Sequence, residues 1–274
     1  MFRRKDIMVS RISAVFDELK SKSGLITYIT AGFPTQNICH KIMNELSLSG
    51  SDILELGMPF SDPMADGPII QKSSKISLEN GHTMEKTFDL VKNFRENNNK
   101  TPLVLMGYYN PIYQYGNNNF LKRCNDYGVD GLIIVDLPPE HDNELCDLMI
   151  NSDIDFIRLA TPTTNENRLE KVLDKASGFL YYVSIMGITG TKKPDLKLLK
   201  KQIDILKLST EIPIAVGFGI KTPDQAKKIS EFSDALVIGS ALIENIMESY
   251  TNNDEEGLIK EVRRYIEKIK SVMM

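Results

Sequence analysis

Eight short apolar runs, separated by longer amphipathic stretches, constrain this chain more than any other feature. The runs are Leu25–Thr30, Asp52–Leu56, Pro102–Met106, Gly131–Val135, Asp155–Leu159, Leu180–Val183, Ile214–Gly217 and Ala235–Ile238. They are continuously apolar rather than alternating, the pattern of strands buried on both faces of a parallel sheet. Between them, Asn37–Ser49, Thr83–Asn97, Asn117–Tyr127, Glu140–Ser152, Glu166–Ala176, Asp195–Ser209 and Thr222–Phe232 carry apolar residues at three- and four-residue intervals, as amphipathic helices do. Thr222-Pro223-Asp224 reads as a cap followed by proline at the first helical position. Two further helices frame the set, Ser10–Lys22 and Glu255–Val272, and Ile69–Asn80 is inserted after the second strand. Eight βα units in 274 residues predict an α/β fold. The expected architecture is a (β/α)8 TIM barrel with an extra N-terminal helix and an inserted helix after strand 2. A doubly wound open sheet is the alternative, but no Gly-x-Gly-x-x-Gly turn follows the first strand. No linker divides the chain, so residues 1–274 are read as a single TIM-barrel domain.

Charge and cysteine content narrow the functional classes. The net charge is −4 with both signs interspersed, which leaves no basic footprint for nucleic acid. Met1-Phe2-Arg3-Arg4-Lys5-Asp6 is basic, but no long apolar segment follows it. The expectation is a cytoplasmic protein without a signal peptide or membrane span. Cys39, Cys124 and Cys146 lack metal spacing and are expected as reduced thiols.

In a barrel of this kind the active site is built at the strand C-termini and the loops that follow them. Glu55 ends the second apolar run, among Ile53, Leu54 and Leu56, and a carboxylate there is costly to desolvate. Asp62 and Asp66 follow in the turn-rich stretch Gly57-Met58-Pro59-Phe60-Ser61-Asp62-Pro63-Met64-Ala65-Asp66-Gly67-Pro68. An acid in such a loop should stay ionised more easily, and two carboxyls in unlike environments can serve as acid and base. Each has a plainer reading. Glu55 could be a buried acid satisfied by backbone donors, Asp66 could cap the helix that begins near Pro68, and Asp62 fits a common turn pattern.

Glycines mark the later strand ends: Gly187-Ile188-Thr189-Gly190, Gly217-Phe218-Gly219 and Gly239-Ser240. Glycine lets backbone N–H groups approach an anion, and Gly239-Ser240 should lie at a helix N-terminus, where phosphate binds well. Glycine also merely shapes tight turns. His40, His82 and His141 are scattered and are expected in surface or core roles, with no metal site. Lys221 could form a Schiff base, but it precedes Thr222-Pro223 and reads better as a solvated helix-start lysine.

The stretch Leu54–Pro68 closely resembles the signature of the tryptophan synthase alpha chain family. Tyr28-Ile29-Thr30-Ala31-Gly32, Asp136-Leu137-Pro138, Gly187-Ile188-Thr189-Gly190, Gly217-Phe218-Gly219-Ile220 and Ile238-Gly239-Ser240-Ala241 stand in the order the family shows. The resemblance covers nearly the whole chain. It implies an eight-stranded barrel that cleaves indole-3-glycerol phosphate to indole and glyceraldehyde 3-phosphate, in the last steps of tryptophan biosynthesis. Glu55 would be the proton shuttle and Asp66 the partner of the indole N–H. Backbone groups at Gly190, Phe218, Gly219, Gly239 and Ser240 would hold the phosphate. Tyr28, Met106, Tyr108 and Tyr181 would line the indole pocket, and Thr189 would sit on a loop that closes over substrate and meets Asp66. Asp62 would face a beta-chain partner in an alpha2-beta2 heterotetramer. No cofactor is implied in this chain, whereas the beta chain would carry pyridoxal phosphate.

Some positions depart from the family pattern. Ile185 stands where many members have arginine, Phe33 where some have aspartate, and Tyr28 and Met106 replace phenylalanine and leucine. Three rivals are carried. One is a stand-alone indole-releasing lyase without a beta partner. Another is a metal- or lysine-dependent aldolase, which the sparse histidines disfavour. The last is a barrel that only binds and activates a partner, against which stands the retention of Glu55 and Asp66.

Overall fold

Each apolar run becomes a strand, because a position between a barrel interior and a shell of helices buries both faces at once. The computed structural model describes residues 10–20, 22–149, 152–184, 196–217, 219–250 and 254–273. Its strands are β1 Gly24–Thr30, β2 Ile53–Gly57, β3 Leu103–Gly107, β4 Gly131–Ile134, β5 Asp155–Phe156, β6 Arg158–Ala160, β7 Leu180–Val183, β8 Ile214–Gly217 and β9 Ala235–Ile238. All pairings are parallel, in the order β5-β4-β3-β2-β1-β9-β8-β7-β6. β5 and β6 are two halves of one predicted run, Asp155–Leu159, extended by a residue and interrupted at Ile157. The first half pairs with β4 and the second with β7, so this split segment closes the barrel. The eight expected strand positions are therefore all filled.

Alternate residues of each strand point to opposite sides. Inward-facing Ile26, Ile53, Val104, Ile133, Ile157, Phe179, Ala215, Ala235 and Val237 form one buried cluster. Outward residues such as Leu25, Leu54, Leu105, Leu132 and Leu236 join a larger cluster with the helices.

The extra N-terminal helix, α1 Arg11–Leu19, lies across the N-terminal ends of the strands. Its Ile12 is fully buried, and Val15 and Phe16 pack against the barrel's interior cluster. Polar ties hold it there. Ser10 Oγ donates to Asp155 Oδ2 at 2.9 Å, and Arg11 Nη1 pairs with Asp130 Oδ1 at 2.7 Å. Asp130 also receives Arg95 Nη2 at 2.5 Å and the N–H of Leu103 at 2.7 Å.

The outer shell follows the amphipathic segments: α2 Gln36–Leu48, α3 Pro68–Glu79 (the inserted helix), α4 Met84–Asn97, α5 Tyr109–Tyr115, α6 Asn117–Tyr127, α7 Asn143–Met149, α8 Glu166–Asp174, α9 Leu196–Ser209, α10 Pro223–Ser230, α11 Ser240–Tyr250 and α12 Glu255–Lys270. The expected cap at Thr222 is present as a capping box with Gln225. One expectation is corrected. The segment Glu140–Ser152 is not one helix. A 3-10 turn at Pro139–His141 precedes α7, because Asp142 turns inward, fully buried, to pair with Arg158 and with Lys175 at 3.0 Å. α5 was not foreseen: it is a single short aromatic stretch with Pro111 inside it and Gly116, at φ 90°, closing it. Cys39, Cys124 and Cys146 are buried free thiols. No described helix is long and apolar enough to cross a membrane.

Candidate active site

Strand parity decides what faces the barrel mouth. In β2, Ile53, Glu55 and Gly57 share the inward face. Glu55 pairs in register with Tyr28 on β1, and Gly57 with Met106 on β3. Glu55 is fully buried, and neither carboxylate oxygen has a hydrogen-bond partner among the described residues. Desolvation pushes its pKa up to about 8. The reading of Glu55 as an acid satisfied by backbone donors is thereby overturned. Burial without a partner favours its neutral, protonated form at pH 7.

Asp66 reaches the same mouth from the loop between β2 and α3 and is half-buried. It does not cap α3. Gly67 occupies that position with no side-chain cap, so the capping alternative is also overturned. The Asp66 carboxylate instead accepts from Tyr108, whose Oη donates to Oδ2 at 3.1 Å. The same Tyr108 oxygen accepts the N–H of Ala65 at 3.0 Å, and its ring packs on Phe60, 5.3 Å between centroids. Burial raises the Asp66 pKa, and the Tyr108 hydroxyl opposes that rise. The two acids thus differ as a loop and a strand should: one is half-exposed with a donor, the other is dry with none. Asp62 lies exposed on the outer part of this loop, bonded to Ser61 Oγ at 2.5 Å.

Tyr28 and Tyr181 close the mouth from opposite sides, and each uses a glycine to do so. A β-carbon at Gly57 would collide with the Tyr28 hydroxyl, and one at Gly217 would collide with that of Tyr181. The Tyr28 ring starts against Gly239, where a β-carbon would sit 3.3 Å from Tyr28 Cβ. Burial raises the pKa values of both phenols, and the Asp66 carboxylate and, once ionised, Glu55 add to the rise. Met106 is half-buried against the interior cluster. The structure therefore brings Tyr28, Glu55, Asp66, Met106, Tyr108 and Tyr181 to one opening.

On the far rim, Gly239 follows the end of β9 and Ser240 begins α11, as the sequence suggested. The first N–H groups of a helix have no partner within it, which suits an anion. Gly219 stands nearby at φ +79°, a conformation that L side chains rarely adopt. Thr189, Gly190 and Phe218, and the departure at Ile185, lie outside the described residues.

The remaining candidates take structural places. His82 is buried between Gln36 Oε1 at 3.1 Å and Thr87 Oγ1 at 2.8 Å, and burial lowers its pKa to about 4. Lys221 is exposed and pairs with Glu244 at 3.2 Å. Among the described residues, no group of three or more His, Cys, Asp or Glu side chains is placed to hold a metal ion. A cavity of about 810 Å3, lined by Arg11, Lys22, Asp52 and Lys100, lies under α1 at the other end of the barrel. Two residues near the mouth escaped the sequence reading of the site. Phe60 supports Tyr108, and Asp136 accepts the Tyr109 N–H at 2.7 Å. Asp136-Leu137-Pro138 was visible as a motif, but α5, which gives it a partner, was not.

Fold and site together define a (β/α)8-barrel enzyme with a dry carboxylic acid and a second carboxylate at the C-terminal mouth. The family model described as tryptophan synthase alpha chain matches residues 16–274. The tryptophan synthase alpha subunit of Legionella pneumophila strain Paris is 36% identical, with a TM-score of 0.90, covering 96% of this chain and 98% of that one. Tryptophan synthase from M. tuberculosis, in an aminoacrylate-bound form, is 26% identical, with a TM-score of 0.85, covering 97% and 100%. A structure from Aquifex aeolicus VF5 is 32% identical, with a TM-score of 0.85, covering 97% and 99%. The chain belongs to the tryptophan synthase alpha chain family and has that family's alpha-subunit function.

Proposed function

We propose that this single-domain barrel cleaves indole-3-glycerol phosphate to indole and glyceraldehyde 3-phosphate. The observation that carries the reading is Glu55: a fully buried carboxyl without a partner among the described residues, its pKa raised by burial to about 8, at the same opening as Asp66. In the proposed reaction the Glu55 proton goes to indole C3. Positive charge then develops at the ring nitrogen, where Asp66 accepts the N–H hydrogen bond and offsets that charge. The Glu55 carboxylate next takes the proton of the side-chain hydroxyl adjacent to C3. The carbon–carbon bond breaks, its electron pair returns to the indole ring, and the hydroxyl carbon becomes the aldehyde. A pKa of about 8 suits both halves, since the group is an acid before the first step and a competent base after it.

Tyr28, Met106, Tyr108 and Tyr181 supply the flat apolar walls for the indole. Backbone N–H groups at Gly219, Gly239 and Ser240 hold the phosphate, with Gly190 and Phe218 assigned to the same task by resemblance. Thr189 is assigned to the closing loop. No cofactor enters this chemistry, because the protonated indole ring is the electron sink. The partner is a beta chain carrying pyridoxal phosphate, in an alpha2-beta2 heterotetramer located in the cytoplasm, with Asp62 on the loop that faces it. The M. tuberculosis relative, a tryptophan synthase with bound aminoacrylate, supports that pairing. The test is indole release from indole-3-glycerol phosphate, with and without a cognate beta chain. Release that the beta chain accelerates is expected. Rapid release with no acceleration would favour a stand-alone lyase.

A further inference from the structure

We infer that Asp136 is a positioning residue for the Asp66 carboxylate, acting through the start of α5 and the Tyr108 hydroxyl; the inference rests on the lyase reading. Tyr108 precedes α5 as its N-cap, but its side chain makes no cap hydrogen bond there. The first N–H of the helix, on Tyr109, is instead taken by Asp136 Oδ1 at 2.7 Å, from the loop after β4. One of the orphan donors of a helix start is thus satisfied by a different barrel loop.

That bond fixes the peptide between Tyr108 and Tyr109, and so the direction in which the Tyr108 side chain leaves the backbone. The Tyr108 hydroxyl then uses both of its capacities on the neighbouring loop. It accepts from Ala65 N at 3.0 Å and donates to Asp66 Oδ2 at 3.1 Å. The ring leans on Phe60 of the same loop. Three consecutive loops, after β2, β3 and β4, are therefore linked through two adjacent tyrosines. Asp136 is exposed and bonds the Tyr109 peptide, so it would hold Asp66 in place through Tyr108.

The test uses the full-length chain and its Asp136→Ala, Asp136→Asn and Tyr108→Phe variants, assayed for indole release from indole-3-glycerol phosphate across pH. Loss of the bond that caps Tyr109 corresponds to about a three- to thirtyfold effect, and kcat should fall in that range for Asp136→Ala and comparably for Tyr108→Phe, which loses the hydroxyl bond to Asp66, with KM changing less. Asp136→Asn should stay near native, because its amide oxygen still accepts the Tyr109 N–H. The Tyr108 hydroxyl opposes the burial that raises the Asp66 pKa, so its release should carry the acid limb of kcat to higher pH. The other titratable groups at the mouth, Glu55, Tyr28 and Tyr181, are unchanged in all three variants, and the Asp136 charge, which reaches Tyr108, is lost equally in Asp136→Ala and Asp136→Asn, so the asparagine variant controls for it. The shift should appear in Asp136→Ala and Tyr108→Phe and not in Asp136→Asn. An Asp136→Ala protein with a native acid limb overturns the inference, whether or not its kcat falls. So does an Asp136→Asn protein as impaired as the alanine variant. A native chain that releases no indole refutes the lyase reading instead.

Discussion

The two ends of this barrel treat buried charge in opposite ways. At the N-terminal end, Asp130 is 6% exposed and receives two guanidinium groups and a backbone N–H. The α1 helix that covers it adds Ile12 to the interior cluster. At the C-terminal end, Glu55 is buried more completely and receives nothing from the described residues. A buried charge that is paired and hydrogen-bonded holds the fold together, whereas an unpaired one escapes its cost by staying protonated. The contrast teaches where the molecule accepts instability. The closed end pairs its buried charge, and the open end leaves a buried carboxyl without a partner among the described residues.

The contrast is broken most sharply by Glu55→Gln. Indole release should fall by about 10²–10⁴-fold, the usual contribution of a general acid–base group. The same change should raise the melting temperature in a pH-dependent way. The sign follows from linkage. The folded-state pKa is about 8 against an ordinary 4.5, so folded Glu55 binds a proton that the unfolded chain has released. Native stability therefore declines from about pH 4.5 to about pH 8, and the glutamine variant escapes that decline. Melting curves at pH 5 and pH 8 should show the stability gap between variant and native widening at the higher pH. A constant gap would mean that Glu55 is not held protonated in the fold.

Asp66→Asn comes next. The amide fills the same space but cannot offset positive charge on the indole, so kcat should drop by about 10²-fold while KM moves less. Steady-state kinetics in which KM rises and kcat holds would return Asp66 to a binding role.

At the closed end, Asp130→Ala should do the reverse of Glu55→Gln. It leaves Arg95 buried without its charge partner and removes the acceptor of Leu103 N, costing about 3 kcal/mol or more of folding free energy. Chemical denaturation measures the loss, and kcat of the folded fraction should be unchanged. A stable variant, or a folded one with poor turnover, would erase the division between the two ends.

The smallest effect belongs to Asp62→Ala, on the exposed rim of the mouth. The basal rate should stay native, and the acceleration by a beta chain should weaken several-fold as the partner's preference for the closed arrangement declines. Indole release with saturating beta chain, compared for native and variant, measures it. Equal acceleration would show that the rim contributes nothing to coupling.

Local rules made much of this protein legible in its sequence. Two-faced burial forces continuous apolar runs, so the eight strand positions could be read directly. Amphipathic spacing marked most of the shell, and Thr222-Pro223 marked a helix start. Glu55 stood out because a carboxyl inside such a run has no cheap place to go, and Gly239-Ser240 because a strand end abutted a helix start. Other features depend on groups far apart in the chain, and only the tertiary structure decided them. Asp142 breaks a predicted helix because Arg158, on β6, draws it inward. Gly57 and Gly217 matter because tyrosines from other strands occupy the space of their absent side chains. Asp66 proved to be a partner of Tyr108 rather than a cap, since 42 residues of chain separate the two and folding brings them within 3.1 Å. Sequence records what each residue costs to bury, and the fold alone determines which distant group meets that cost.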